Sequence, residues 1–188
     1  MTDDADDEAL MQRVARGDET ALRRLMDAHM GRAIRLGERI AGSALDADEI
    51  AQEAFVRVWR HAARFDGHRA RFTTWLYRIV VNLALDRKRR RPHLPIEHAE
   101  HVPDGALSAD DMLLARERQR LAEAALASLP ERQRAAIALV YLEGLSGREG
   151  AAILEVSEKS FESLLSRGRA ACRQFTAAAL AAGGGSNG

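Results

Sequence analysis

Residues 65–91 read FDGHRARFTTWLYRIVVNLALDRKRRR, a combination of features that few buried helices need. Phe65, Phe72, Trp75 and Tyr77 fall in its first half, and an unbroken basic run, Arg87 to Arg91, closes the second before Pro92. From Thr74 onward, Trp75, Leu76, Ile79, Val80 and Leu83 recur at helical spacing, which predicts a helix with one buried face. The opposite face then carries Thr74, Tyr77, Arg78, Val81, Asn82 and Leu85, a mixed aromatic, amide and apolar surface. Such a face is suited to contact. Exposed rings stack unpaired bases, an amide hydrogen-bonds a base edge, and clustered arginines follow phosphates. The plainer alternative is a core helix whose C-terminal cations complement its macrodipole.

Upstream, Leu10 and Val14, then Leu22, Leu25, Met26, Ile34 and Ile40, give helical periodicity interrupted at Gly17-Asp18. This predicts a short helix, a turn and a long helix ending near Gly42. Asp46 followed by Glu49 resembles a capping box, after which Ile50, Ala54, Phe55, Val58 and Ala62 line one face of a third helix. Its other face bears Asp48, Glu49, Gln52, Glu53 and Arg57, an ordinary solvated face as far as composition goes. Residues 1–92 therefore read as one helical domain.

Pro92, Pro95 and Pro103 cluster with Gly105 and several acids, so residues 93–111 read as a flexible linker. His93, His98 and His101 lie there beside Glu97 and Glu100, but the flanking prolines oppose a helix that would align them. They read as solvated linker residues, and no metal is expected.

Beyond Ser108 the pattern is helical again through Leu113, Leu114, Leu121, Ala125 and Leu129. Pro130 suits a first helical position, and a second helix runs through Ile137, Val140 and Tyr141 to Gly144. Ser146 and Glu149 form a capping box for a short third helix ending near Leu154, and Ser157 caps a fourth. Two helices joined by a tight turn, the second amphipathic, have the form of a helix-turn-helix. The last helix would bury Phe161, Leu164, Leu165 and Gly168. It would present Lys159, Ser160, Glu162, Ser163, Ser166 and Arg167, with Arg169 and Arg173 beyond, to a major groove and its phosphates. Residues 112–177 thus form a second helical domain, and the alanine- and glycine-rich residues 178–188 read as a disordered tail.

The composition bounds the function. The 188 residues carry 28 basic and 28 acidic side chains, so any basic patch is local, and unaided grip on duplex DNA should be weak. Cys172 is the sole cysteine, which excludes an internal disulfide and a cysteine metal cage. The acidic start MTDDADDEAL does not resemble a secretory signal, and no apolar run could span a membrane, so a cytoplasmic protein is expected. No nucleophile–base pair, phosphate loop or carboxylate constellation suggests an enzyme, and no cofactor is expected.

With these residues in view, the chain resembles the extracytoplasmic-function class of bacterial sigma factors, the smallest of the sigma-seventy family. DADEIAQEAFVRVWR is similar to region 2.2, RFTTWLYRIVVNLALDRKRR to regions 2.3 to 2.4, and LPERQRAAIALVYLEGLSGREGAAILEVSEKSFESLLSRGRA to region 4. The motifs fall in the family's order. The resemblance implies an all-α fold of two small helical domains and a role in promoter-specific transcription initiation. It implies that Asp48, Gln52, Glu53 and Arg57 dock on the β′ clamp helices of core RNA polymerase, reversing their reading as a wet face. It implies that Phe65, Arg71, Thr74, Arg78 and Asn82 capture an expelled base of the minus-ten element, with Arg87, Lys88 and Arg89 on the backbone. Lys159, Ser160, Glu162, Ser163, Ser166, Arg167 and Arg169 would then meet the minus-thirty-five element. It also implies control by an anti-sigma factor.

Two residues depart from the family's pattern. Glu155 stands where relatives usually have glycine in the turn, and positive φ costs a non-glycine residue about 1 kcal/mol. Gly150 stands where an aliphatic residue usually fills the core, and glycine inside a helix costs about as much. Both predict a less stable or repacked reading unit. Two other functions fit parts of the pattern. A stand-alone helix-turn-helix regulator would bind duplex operator DNA tightly unaided, and a partner-titrating module would keep the sigma shape without promoter activity.

Overall fold

The computed structural model describes residues 4–90 and 109–183. Among these there are eight α-helices and no strands. Four helices, α1 (Asp4–Val14), α2 (Glu19–Ala41), α3 (Ala44–His61) and α4 (Phe72–Arg90), pack as an N-terminal bundle, with one 3-10 turn at Ala62–Arg64. The other four, α5 (Ala109–Ala127), α6 (Glu131–Tyr141), α7 (Gly147–Leu154) and α8 (Glu158–Gly183), form a C-terminal bundle. The predicted all-α, two-domain architecture is present.

Local chemistry sets the helix ends. Asp18 caps α2 by accepting from the backbone N–H groups of Thr20 and Ala21 at 2.9 and 3.1 Å. The Arg13 guanidinium donates to the same carboxylate at 2.7 Å and, with those backbone donors, holds its pKa below the usual range. Gly42 then ends α2 at φ 77°, a left-handed turn that glycine adopts freely. The third helix starts differently from expectation. Its cap is Ser43, whose side chain accepts from the Asp46 N–H, whereas Asp46 lies within the first turn and is buried. The Asp46–Glu49 spacing imitates a box because both acids serve another partner, Arg87.

The N-terminal core is built from Leu25, Leu36, Ile40, Ile50, Val58, Leu76 and Val80, all fully buried. In the C-terminal bundle, Leu139, Ile153 and Phe161 form the equivalent centre. Gly150 does not leave a void there. A Cβ at that position would fall 2.2 Å from Cζ of Phe161, so the phenyl ring occupies the space of the missing side chain. The expected repacking is therefore realised by Phe161.

One buried cation helps to tie the bundles together. Arg134 is 4% exposed, and its guanidinium donates to the carbonyls of Leu126, Ala127 and Leu129 at 2.9, 2.5 and 3.0 Å and to Ile40 at 3.1 Å. It thereby satisfies carbonyl groups in the last turns of both α5 and α2, where the helix dipoles favour a cation. Burial pushes its pKa down. Arg39 to Glu123 at 3.2 Å lies at the same junction.

Two boundaries moved. Pro130 is the cap before α6 rather than its first helical residue. The last helix continues to Gly183, six residues into the expected tail, because alanine has the highest helix propensity and Ala177–Ala182 is nearly all alanine. The linker histidines lie outside the described residues.

Candidate nucleic-acid interface

The aromatic loop before α4 is folded by Asp66. Its carboxylate accepts from the His68 N–H at 3.1 Å, and its carbonyl from the Arg69 and Ala70 N–H groups. The loop sits on an aromatic cluster. Phe65 and Trp75 meet at 5.4 Å between ring centroids, and both also pack on Phe72. Phe72 is buried and takes the edge of His29 at 5.2 Å. Behind it, His29 Nε2 lies 2.8 Å from Asp7 Oδ2, both side chains 1% exposed. That contact has an ion pair's distance without hydrogen-bond alignment, and the other polar atoms of both side chains meet no protein partner.

The face of α4 differs from expectation. Tyr77 and Val81, predicted to point outward, are buried, while Trp75, Ile79 and Leu83 are only half-buried. The reason is that α4 packs on α2 and α3 on one side and on α6 and α7 on the other, so no single stripe describes it. Tyr77 donates its hydroxyl to Glu143 Oε2 at 2.6 Å. Burial, reinforced by that carboxylate, pushes its pKa far up. Of the four aromatic side chains, Phe65 and Trp75 are thus the two that retain exposed surface.

The candidate minus-ten residues separate into three groups. Asn82 is exposed on α4, with Thr74 half-buried two turns earlier. Arg71 pairs with Glu149 and Arg78 with Glu155, both acids from the C-terminal bundle. Arg87 is held by Asp46 at 2.8 Å and by Glu49, which fastens the end of α4 to the start of α3. Arg89 is largely exposed beside Asp86, while the side chain of Lys88 lies outside the described residues.

On α3, Asp48 and Gln52 are exposed, and Glu53 and Arg57 form an i,i+4 ion pair at 2.9 Å on the same side. A feature that the sequence reading missed adjoins them. Leu22, Met26, Phe55, Val56 and Trp59 line a groove of about 440 Å³ that Gln52 borders, with Val56 and Trp59 exposed. The signal was present in the spacing of Gln52, Val56 and Trp59, which puts two apolar residues on the outward face.

The helix-turn-helix is formed by α7 and α8. Ser146 and Glu149 make the reciprocal capping box, and Ser157 accepts from the Ser160 N–H at 3.2 Å at the start of α8. Glu155 occupies the turn at φ 54°, ψ 47°, the left-handed conformation expected there. Phe161, Leu165 and Gly168 face inward, while Lys159, Ser160, Glu162, Ser163, Ser166, Arg167 and Arg169 are all exposed along α8.

Comparison with known proteins accounts for both bundles. Residues 25–92 match Sigma-70 region 2, and residues 119–172 match Sigma-70, region 4. The chain is 31% identical to the ECF RNA polymerase sigma factor SigW of Bacillus subtilis, over 87% of this chain and 93% of that one. It is 32% identical to the ECF RNA polymerase sigma-E factor of Escherichia coli, over 91% and 94%. Among solved structures, CnrH in complex with the cytosolic domain of CnrY aligns with a TM-score of 0.67 at 29% identity, covering 92% of this chain and 98% of that one. The sigma factor RpoE in complex with the anti-sigma factor NepR, from Bartonella quintana, has the same fold, with a TM-score of 0.65 at 20% identity over 81% and 94%. The chain therefore belongs to the extracytoplasmic-function class of the sigma-70 family of RNA polymerase sigma factors.

Proposed function

We propose that this sigma factor binds core RNA polymerase through the α3 face of Asp48, Gln52, Glu53 and Arg57 and then recognises two promoter elements. In the minus-ten element an expelled base stacks on the ring surface of Phe65, while Asn82 and Thr74 bond its edge and Arg71 and Arg78 meet the flanking backbone. Arg87, Lys88 and Arg89 extend that backbone path. In the minus-thirty-five element α8 enters the major groove, with Lys159, Ser160, Glu162, Ser163, Ser166, Arg167 and Arg169 toward bases and phosphates.

The observation that carries this reading is the unbroken exposed row on α8, set behind a capped α7 and a tight turn. The protein acts by positioning rather than by chemistry, so it is not an enzyme. It works in the cytoplasm; no helix among the described residues is long and apolar enough to cross a membrane. An anti-sigma factor restrains it by covering its polymerase-binding faces, as suits a class in which RpoE is seen with NepR. The test is transcription from a genomic template library by core polymerase with and without this protein. Discrete new start sites are expected, and their absence would sink the reading.

A further inference from the structure

The buried pair of Asp7 and His29 has no part in the contacts assigned so far. It joins α1 to α2, with His29 Nε2 2.8 Å from Asp7 Oδ2, both side chains 1% exposed, and no other protein partner for either. We propose that Asp7 and His29 are positioning residues of the minus-ten site. They fasten α1 beneath the loop at 65–71 and set the Phe72 ring on which Phe65 and Trp75 lean, so that the stacking surface is in place before a base arrives. The inference rests on the reading of Phe65 as that surface.

Two contacts lead from α1 to the loop. One is a chain of rings: Asp7 holds His29, the imidazole meets Phe72 at 5.2 Å between centroids, and Phe65 and Trp75 pack on Phe72 at 6.2 and 6.4 Å. The other is direct. The Glu8 side chain covers Gly67, where an added Cβ would fall 2.2 Å from Glu8 Oε1. The same helix packs against the 3-10 turn that leads into the loop. It ends at Val14, ahead of residue 25 where the match to Sigma-70 region 2 begins, so this support comes from outside the matched segment.

Stability alone does not account for the pair. Two polar side chains withdrawn from water can lose more solvation than their one contact returns, and apolar side chains of similar volume often serve a core as well or better. What the pair adds is register. Apolar neighbours tolerate sliding and repacking, whereas two buried polar groups with no other partner have one arrangement that keeps them together. Phe72 is buried while Phe65 and Trp75 keep exposed surface, so a displacement of Phe72 passes directly to the rings that a base would meet.

The experiment separates position from stability with two variants of the full chain, each assayed at a temperature where it is folded. Asp7→Ala with His29→Leu replaces the pair by apolar groups of similar total volume, and Val14→Ala trims the buried far end of α1. A duplex promoter found by transcription of the genomic library, with 2-aminopurine placed in turn through its minus-ten segment, reports base expulsion by core polymerase carrying each variant. Acrylamide quenching of Trp75 in the free chain, with Trp59→Phe to leave one tryptophan, reports the rings. The apolar pair should keep its melting temperature and its affinity for core polymerase. Its base expulsion should fall about fivefold, a fraction of what one stacked base contributes, and Trp75 should quench more readily. Val14→Ala should melt lower with expulsion and quenching unchanged. Expulsion or quenching at the wild-type level in the apolar pair, or equal losses in Val14→Ala, would overturn the proposal. Expulsion absent from the wild type would refute the base-capture reading instead, and Trp75 quenching would then decide the role of the pair.

Discussion

The two reading helices present opposite situations. On α8, every candidate contact from Lys159 to Arg169 is exposed, and its buried side is a single stripe of Phe161, Leu165 and Gly168. On α4, packing comes from both sides, Tyr77 and Val81 are buried, and Arg71 and Arg78 already have acidic partners. A helix whose neighbours all lie along one side, as α5, α6 and α7 do for α8, advertises its free face in its periodicity. A helix packed between two bundles does not.

The strongest way to break this contrast is to remove the anchor of α8. Phe161→Ala should cost about 3–5 kcal/mol and loosen the C-terminal bundle while the α1–α4 core stays folded. A thermal melt read with bundle-specific proteolysis would check it, and a single cooperative loss of both bundles would contradict the separation. Gly150→Ala acts on the same ring from the other side. With the added Cβ 2.2 Å from Phe161, a loss of about 1–3 kcal/mol is expected, despite alanine's better helix propensity. In the adjoining turn the sign reverses. Glu155→Gly should relieve about 1 kcal/mol of backbone strain in denaturant unfolding, offset in part by loss of the exposed Arg78 pair.

The smallest effect belongs to α4 and depends on pH. Burial and then Glu143 raise the Tyr77 pKa, with Arg32 pulling less strongly the other way. Below the unfolded value of about 10 the hydroxyl is protonated in both states and the contact is fully present. Above it the separated form ionises first, so stability falls as pH rises. The radius of gyration should hold from about pH 7 to 9 and grow only beyond about 10, and Tyr77→Phe should flatten that dependence.

Most of the architecture was legible in sequence because helix periodicity and caps are local. Gly17-Asp18, Gly42, the Ser146–Glu149 box and Ser157 each sit where the chain turns. What escaped was long-range. Ser43 yielded its cap role on paper to Asp46 because the Arg87 partner of Asp46 is 41 residues away. Arg134 drew no reading from the sequence, since carbonyl groups at the ends of two other helices have no sequence pattern. Tyr77 and Val81 were placed outside because nothing in α4 itself announces the second bundle. The groove beside Trp59 was missed for a simpler reason: an outward tryptophan was assigned no side at all. Composition likewise suggested disorder where the alanines of α8 continue the helix.

The most direct test returns to α4. Core polymerase should still bind the sigma factor carrying Asn82→Ala with Arg78→Ala, and specific initiation should fall at least tenfold, since a base contact in such a site contributes about 1–3 kcal/mol. Undiminished transcription from the double variant would contradict the assignment of base capture to this helix.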